Sequence, residues 1–288
     1  MSIDTSAAKV MLRGVQDVLS FPDVAIRINQ MVQSQVYSAG RIAKEIETAP
    51  DIAAGILRLA NCAIYAFPKR IESIHRAITL IGNQAVRDIV LAISAKSTLG
   101  VIHSGKLDVN HFWRHSVYCA AIARELAQRE GGLDKDSLFT AGLLHDIGRL
   151  VLFRQAPHIA LEVQVQRQES PGIQAHEVVV SKLGFHHGTL GGLLAERWQF
   201  PEKLVACISY HHQPFQAPSE HHQEVRLVHL ANTLSQMLEV PGLEFQDLVF
   251  PFPGVLSDQA LNEAAVIEIV QRVAGTIREL RVAFDIAA

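Results

Sequence analysis

The sequence predicts an all-α protein, and three observations carry that prediction. Apolar residues recur at three- and four-residue steps in nearly every segment of the 288-residue chain. Period-two alternation with Asn-Gly or Asp-Gly turns, the punctuation of sheets, is missing. The breaks in the helical pattern fall on Gly, Ser and Pro. With 49% hydrophobic and 19% charged residues, the chain has ample material for a core and is too apolar for disorder.

The elements follow in order. Pro50 and Asp51 suit a first helical turn, and Ile52, Ile56 and Leu59 then line one face. Ser73 is placed to cap a helix with Ile74, Ile78 and Ile81 on its apolar face. Gly82 interrupts it, and Val86, Ile89, Val90 and Ile93 resume the pattern. Residues 97–109, with two Gly and two Ser, separate an N-terminal helical half from a histidine-bearing half. Residues 113–127 carry Val117, Ala121 and Leu126, with small residues where another helix can approach. Further breaks fall at 213–223 and 241–257; the second is rich in Pro and Phe, so it is expected to pack against the body. The last segment, 258–284, sets Leu261, Ala265, Ile269, Val273, Ile277, Leu280 and Phe284 at helical steps, with Glu268 and Arg272 paired on its outer side. It is expected to cover the core; its other use would be a homodimer or partner surface.

Composition excludes several classes. A net charge of −3 without a run of Lys or Arg gives no footprint for nucleic acid. No apolar stretch reaches the roughly 18 residues of a membrane helix, and Met1–Val10 has no apolar signal core. Cys62, Cys119 and Cys207, odd in number and set in apolar runs, read as reduced core residues. The expected compartment is the cytoplasm.

Fourteen His against three Cys mean that any metal site here must be built from nitrogen and oxygen. His115, His145-Asp146, His187 and His211-His212 are the candidates. They stand 30, 42 and 25 residues apart, reckoned from His115 through His145 and His187 to His212. Each interval has room for one or two helices, so ligands at helix ends can converge inside a bundle. Imidazole with carboxylate suits Fe, Mn, Zn or Ni rather than Ca. Asp146 can supply a carboxylate beside the imidazole of His145 and can bridge to a second ion about 3.5–4 Å away. Gly148 would relieve crowding beside that pair. The bland readings stand beside these: His75, His103, His158 and His229 as surface or hydrogen-bonded residues, His221-His222 as solvated, His111 as surface, Trp198 as core. His186 lies about 100° from His187 if both are helical, so one of the two should point away.

The run AGLLHDIGRLVL at 141–152, with His115 upstream, resembles the HD superfamily of metal-dependent phosphohydrolases. The N-terminal half narrows this: FPDVAIRINQMV at 21–32, IAKEIETAPDIAAGILRLANCAIYA at 42–66 and IESIHRAITLIGNQAVRDIVLA at 71–92. With Glu177, His187, Trp198, Pro201 and His211-His212 following in order, roughly residues 15–235 resemble the HDOD family, bacterial signalling proteins related to the HD-GYP cyclic di-GMP phosphodiesterases. The resemblance implies N-terminal helices (about 15–100) packed on an HD-like helical core (about 110–235), with 236–288 as a C-terminal helical extension.

The same resemblance places metal ligands on His115, His145, Asp146, His187 (with Gly191 four residues on), His211 and His212. It also marks departures. Asn232 stands where the relatives have a ligating Asp, and a neutral amide brings neither charge nor base. Arg149 replaces a Lys after HDIG, a planar fork in place of a compact charge. The segment QPFQAPSE lacks a Gly-Tyr-Pro substrate loop, and Asn110 and His111 stand where a Glu is expected. The expected function is therefore a bacterial regulatory module without strong catalysis, holding one or two divalent ions and answering to a signalling protein or a nucleotide-like ligand. The alternative is a metal-dependent phosphohydrolase acting on a nucleotide or cyclic dinucleotide through Asp146.

Overall fold

The structure is a computed structural model that describes residues 5–15, 19–100, 108–169, 174–240, 243–248 and 261–286. Among these there are fifteen α-helices and no strand, so the all-α expectation holds. They are α1 (Thr5–Arg13), α2 (Asp23–Ser34), α3 (Ala39–Ile46), α4 (Pro50–Ala60), α5 (Ile74–Ile81), α6 (Asn83–Leu99), α7 (Val109–Glu130), α8 (Lys135–Leu144), α9 (Ile147–Gln155), α10 (Pro157–Glu169), α11 (Ala175–Leu183), α12 (His187–Arg197), α13 (Glu202–Tyr210), α14 (His222–Glu239) and α15 (Glu263–Ala283). No single helix among them is long and apolar enough to cross a membrane.

Local chemistry sets the N-terminal helices. The Ser38 and Ser73 side chains accept the backbone N–H of Arg41 and Arg76 and so cap α3 and α5. Gly82 breaks α5 from α6 at φ 97°, a conformation side chains disfavour. Asn61, at the end of the LRLAN run, donates to the carbonyls of Leu57 and Ile71 and accepts the N–H of Ile71, which pins the 61–71 loop onto α4. Arg58 of the same run donates to Ala283 O and pairs with Asp285 at 3.0 Å, tying α4 to the C-terminal end.

The two halves share their packing. Trp198 is core, as expected; its indole N–H donates to Leu19 O and its ring stacks on Phe21 at 4.6 Å. Asn29 donates to Gln199 O. Buried Arg124 of α7 pairs with Asp136 at 3.1 Å and lies over the Tyr65 ring, binding the 61–73 loop to the second half. One apolar core runs from Leu12 to Ile286, with a smaller one beneath α1, α9 and α12.

Helix α15 presents Ala265, Val266, Ile269, Val270, Val273 and Leu280 to α7, α14 and α4, and Phe284 stacks on Phe139. Its apolar face is thus covered within one chain. Arg272 bonds Glu268, as the four-residue spacing foretold, and also Glu125 of α7. All three cysteines are buried and free. Leu248 is buried, while most of 241–257 and His103 lie outside the described residues.

Candidate metal centre

Each predicted ligand sits at a helix end or faces the bundle interior. His115 lies in the first half of α7. His145 ends α8 and Asp146 opens α9, so the pair occupies a sharp junction. His187 begins α12, His211 ends α13, and His212 follows. The junction can form because α9 and α12 touch backbone to backbone. A Cβ on Gly148 would run into the His187 carbonyl oxygen and lie 2.6 Å from the Gly191 nitrogen. The crowding expected at Gly148 is therefore real, and its missing side chain is what brings His187 beside Asp146.

Asp146 is the hub. Its Oδ1 lies 2.8 Å from His187 Nε2, 3.6 Å from His211 Nε2 and 3.7 Å from His145 Nε2. Its Oδ2 lies 2.7 Å from Arg149 Nη1 and 3.9 Å from His115 Nε2. His187 Nε2 is in turn 3.2 Å from His211 Nε2 and 3.0 Å from His212 Nε2. Two ligand groups share Asp146: one with His187, His211 and His212, the other with His115 and His145. All six side chains named from the sequence thus meet in one place.

The donor set fits a divalent transition metal. With bond lengths of about 2.0–2.1 Å, tetrahedral ligand atoms stand roughly 3.3 Å apart. The 2.8–3.6 Å separations among Asp146 Oδ1, His187, His211 and His212 bracket that value. The tautomers agree. His145 and His211 donate from Nδ1 to Gly142 O and Ile208 O, which leaves their Nε2 lone pairs facing inward. His145 Nε2 is buried without a hydrogen-bond partner, as a ligand awaiting a cation would be. Burial drives His145 down to about 4 and holds His211 and His212 well below the ordinary imidazole range. Burial alone would raise the Asp146 carboxyl, but His145, Arg149 and His187 outweigh it and hold it well below the usual range. Neutral imidazoles at His145, His211 and His212 beside an ionised Asp146 suit metal ligation.

Several residues were not foreseen. Glu239, in the last turn of α14, accepts the Nδ1 proton of His115 at 2.9 Å. Burial opposes charge on His115, yet the bond to Glu239 and its charge, with Asp146, raise its affinity for a proton. Asn232 lies half-buried one turn before Ser235, and its carbonyl accepts the Ser235 hydroxyl. The carboxylate α14 turns toward the centre is thus that of Glu239, bonded to a ligand's far nitrogen. His176 stacks on His212 at 3.9 Å, and His229, expected at the surface or hydrogen-bonded, is buried and donates to His211 O. His186 does not point away. It precedes α12 in extended conformation, so the 100° helical step does not apply, and its buried ring lies 6.0 Å from that of His212. His111 is exposed and bonds Arg114, as a surface residue would.

The model of the HDOD domain matches residues 18–214. An HDOD domain protein with unknown function from Geobacter sulfurreducens superposes with a TM-score of 0.72 at 24% identity, covering 97% of this chain and 96% of that one. A candidate phosphohydrolase from Shewanella amazonensis SB2B gives 0.75 at 22% identity, covering 98% and 100%. At these identities the likeness is one of fold. An uncharacterized protein of Treponema pallidum (strain Nichols) is 24% identical over 268 residues, 91% of this chain and 51% of the relative, so the chain spans about half that relative's length.

Proposed function

The chain belongs to the HDOD domain family, and we propose that it is a signal-transduction module whose buried His/Asp centre binds a divalent transition metal as a structural or sensory ligand and does not drive rapid hydrolysis. The observation that carries this reading is the division of carboxylates at the centre. Among the described residues, Asp146 is the single carboxylate in the two groups of converging ligand atoms. The other nearby carboxylate, Glu239, is committed to His115 Nδ1. Hydrolysis at such a centre asks for a carboxylate that also orients water and takes its proton, and the position that the family resemblance gives to that group carries Asn232, a neutral amide. A bound ion would supply Lewis acidity. The chain's own residues hold the ligand tautomers, exclude water around His145 and His211, and join α7, α9, α12 and α13 through one hub. The output is a protein partner or a nucleotide-like ligand read by the surface of that bundle.

Metal-dependent phosphohydrolysis is the second reading, favoured by the convergence of all six side chains and by the fold shared with a candidate phosphohydrolase. Elemental analysis of protein purified without a metal-binding tag, beside phosphodiesterase assays with added Mn or Fe, separates the two. Bound metal with negligible turnover of cyclic di-GMP and simple phosphodiesters is expected. Robust metal-dependent turnover overturns the regulatory reading and promotes the second.

A further inference from the structure

We infer that Arg149 is a built-in substitute for one of two cations, so that the centre takes a single ion, seated between Asp146 Oδ1, His187, His211 and His212. This rests on the metal-binding reading above and goes beyond it in assigning number and seat.

The two sides of Asp146 are unequal. In the first group, three imidazoles and the carboxylate offer ligand atoms within 4.8 Å of one another, His187 Nε2 being 2.8 Å from Oδ1 and 3.0 Å from His212 Nε2. The second group sets His115 and His145 with the carboxylate; His145 Nε2 stands 3.7 Å from Oδ1, His115 turns to Oδ2, and that oxygen, which would bridge to a second ion, already bonds Arg149 Nη1 at 2.7 Å. An ion on that oxygen at about 2.1 Å would stand roughly 4 Å from the guanidinium nitrogen, a like charge.

Arg149 is also unable to give way. Its stem is anchored: Arg149 and Phe153 lie one turn apart on α9, and the guanidinium carbon sits 5.7 Å from the Phe153 ring centre. Charge points the same way. With one ion in the three-histidine pocket, the dication and the guanidinium already exceed Asp146 and Glu239 by one positive charge. A second dication would raise that excess to three, with no further carboxylate in the two ligand groups to offset it. His115, already bonded through Nδ1 to Glu239, turns its Nε2 toward Oδ2 at 3.9 Å, in a group of three ligands against four in the other.

The test is stoichiometry. Chain stripped by chelator and reloaded with Zn(II) or Co(II), then freed of excess ion by gel filtration, is analysed for metal and, for Co(II), by visible absorption. One ion per chain is expected for the wild type. His115→Gln should keep that ion and leave the Co(II) spectrum unchanged, while His212→Gln should lose it or weaken it at least tenfold. Arg149→Met, which keeps the stem, and Arg149→Gln, which keeps polarity, should each admit a second ion in a distinct binding step; circular dichroism melts confirm that each variant is folded. Two ions in the wild type, loss of the single ion in His115→Gln but not in His212→Gln, or one ion still in both folded Arg149 variants would each overturn the inference and leave metal binding intact. A wild type that takes no ion sinks the metal-binding reading itself.

Discussion

Glu239 holds the Nδ1 proton of His115 at 2.9 Å across 124 positions of sequence, joining the last turn of α14 to the first half of α7. The bond fixes which imidazole nitrogen faces Asp146 and raises the proton affinity of the ring. In metal-free protein, Glu239→Gln should lower the His115 pKa, read from its ring-proton titration by NMR, and cost about 1–3 kcal/mol below pH 6.5, where the charged pair is fully formed. That stability should fade as pH rises through the folded pKa, because His115 binds its proton more tightly folded than unfolded. A His115 titration unmoved by the substitution would contradict this.

The buried imidazoles predict acid lability of opposite sign. Burial lowers His145 and His176 to about 4 and His186 to about 3. Between the unfolded value near 6.5 and these folded values, the unfolded chain binds more protons, so stability falls as pH drops. Urea melts of metal-free protein at pH 7, 6, 5 and 4 should show a loss on the order of a few kcal/mol, and a flat profile would count against neutral, buried rings.

Asp88 runs against that trend. Burial raises it to about 6, although Arg87 at 2.6 Å pulls the other way. From about pH 4 to 6 the folded chain keeps a proton that the unfolded chain releases, so this group's contribution falls as pH rises. Asp88→Asn should steepen the rise of stability with pH across that window. The slope is the readout, because the absolute value also carries the lost partner of Arg87.

Gly148→Ala should cost about 3 kcal/mol or more, since the added methyl meets the backbone of His187 and Gly191, which no rotamer change relieves. Its effect should reach the centre as well: metal affinity should drop with stability, because α9 and α12 must part. A variant with wild-type melting temperature would mean that the two helices are not in backbone contact.

At the other end, Phe284→Ala should cost about 3–5 kcal/mol by emptying the place beside Phe139. Glu268→Ala, which breaks exposed pairs with Arg272 and Arg129, should cost about 1 kcal/mol or less. Thermal melts of the two variants compare burial with surface charge on the same helix.

The sequence made the helices and the ligand set legible for the same reason: both are periodic or motif-bound. Helical spacing announced α4, α5, α6 and α15, and the HD pair with four further histidines announced the cluster. Glu239 carried no such signal, since its role depends on how α14 crosses α7. Arg149 could be seen as a substitution, but its bond to Asp146 required the α8–α9 junction. His186 was misplaced because the helical step was applied to a residue that stands outside the helix. His176 offered nothing beyond residue type; stacking on His212 is set by the packing of α11.

The ligands and their supports come from residues 115 to 239, so the order of synthesis matters. A nascent chain that has released α7, α8 and α9 holds His115, His145 and Asp146 but not the imidazoles of α12 and α13, nor Glu239. Before His187 is made, the partner that sits closest to Asp146 in the folded chain and is already present is Arg149, three residues on. The four-ligand group exists only in a chain made as far as His212.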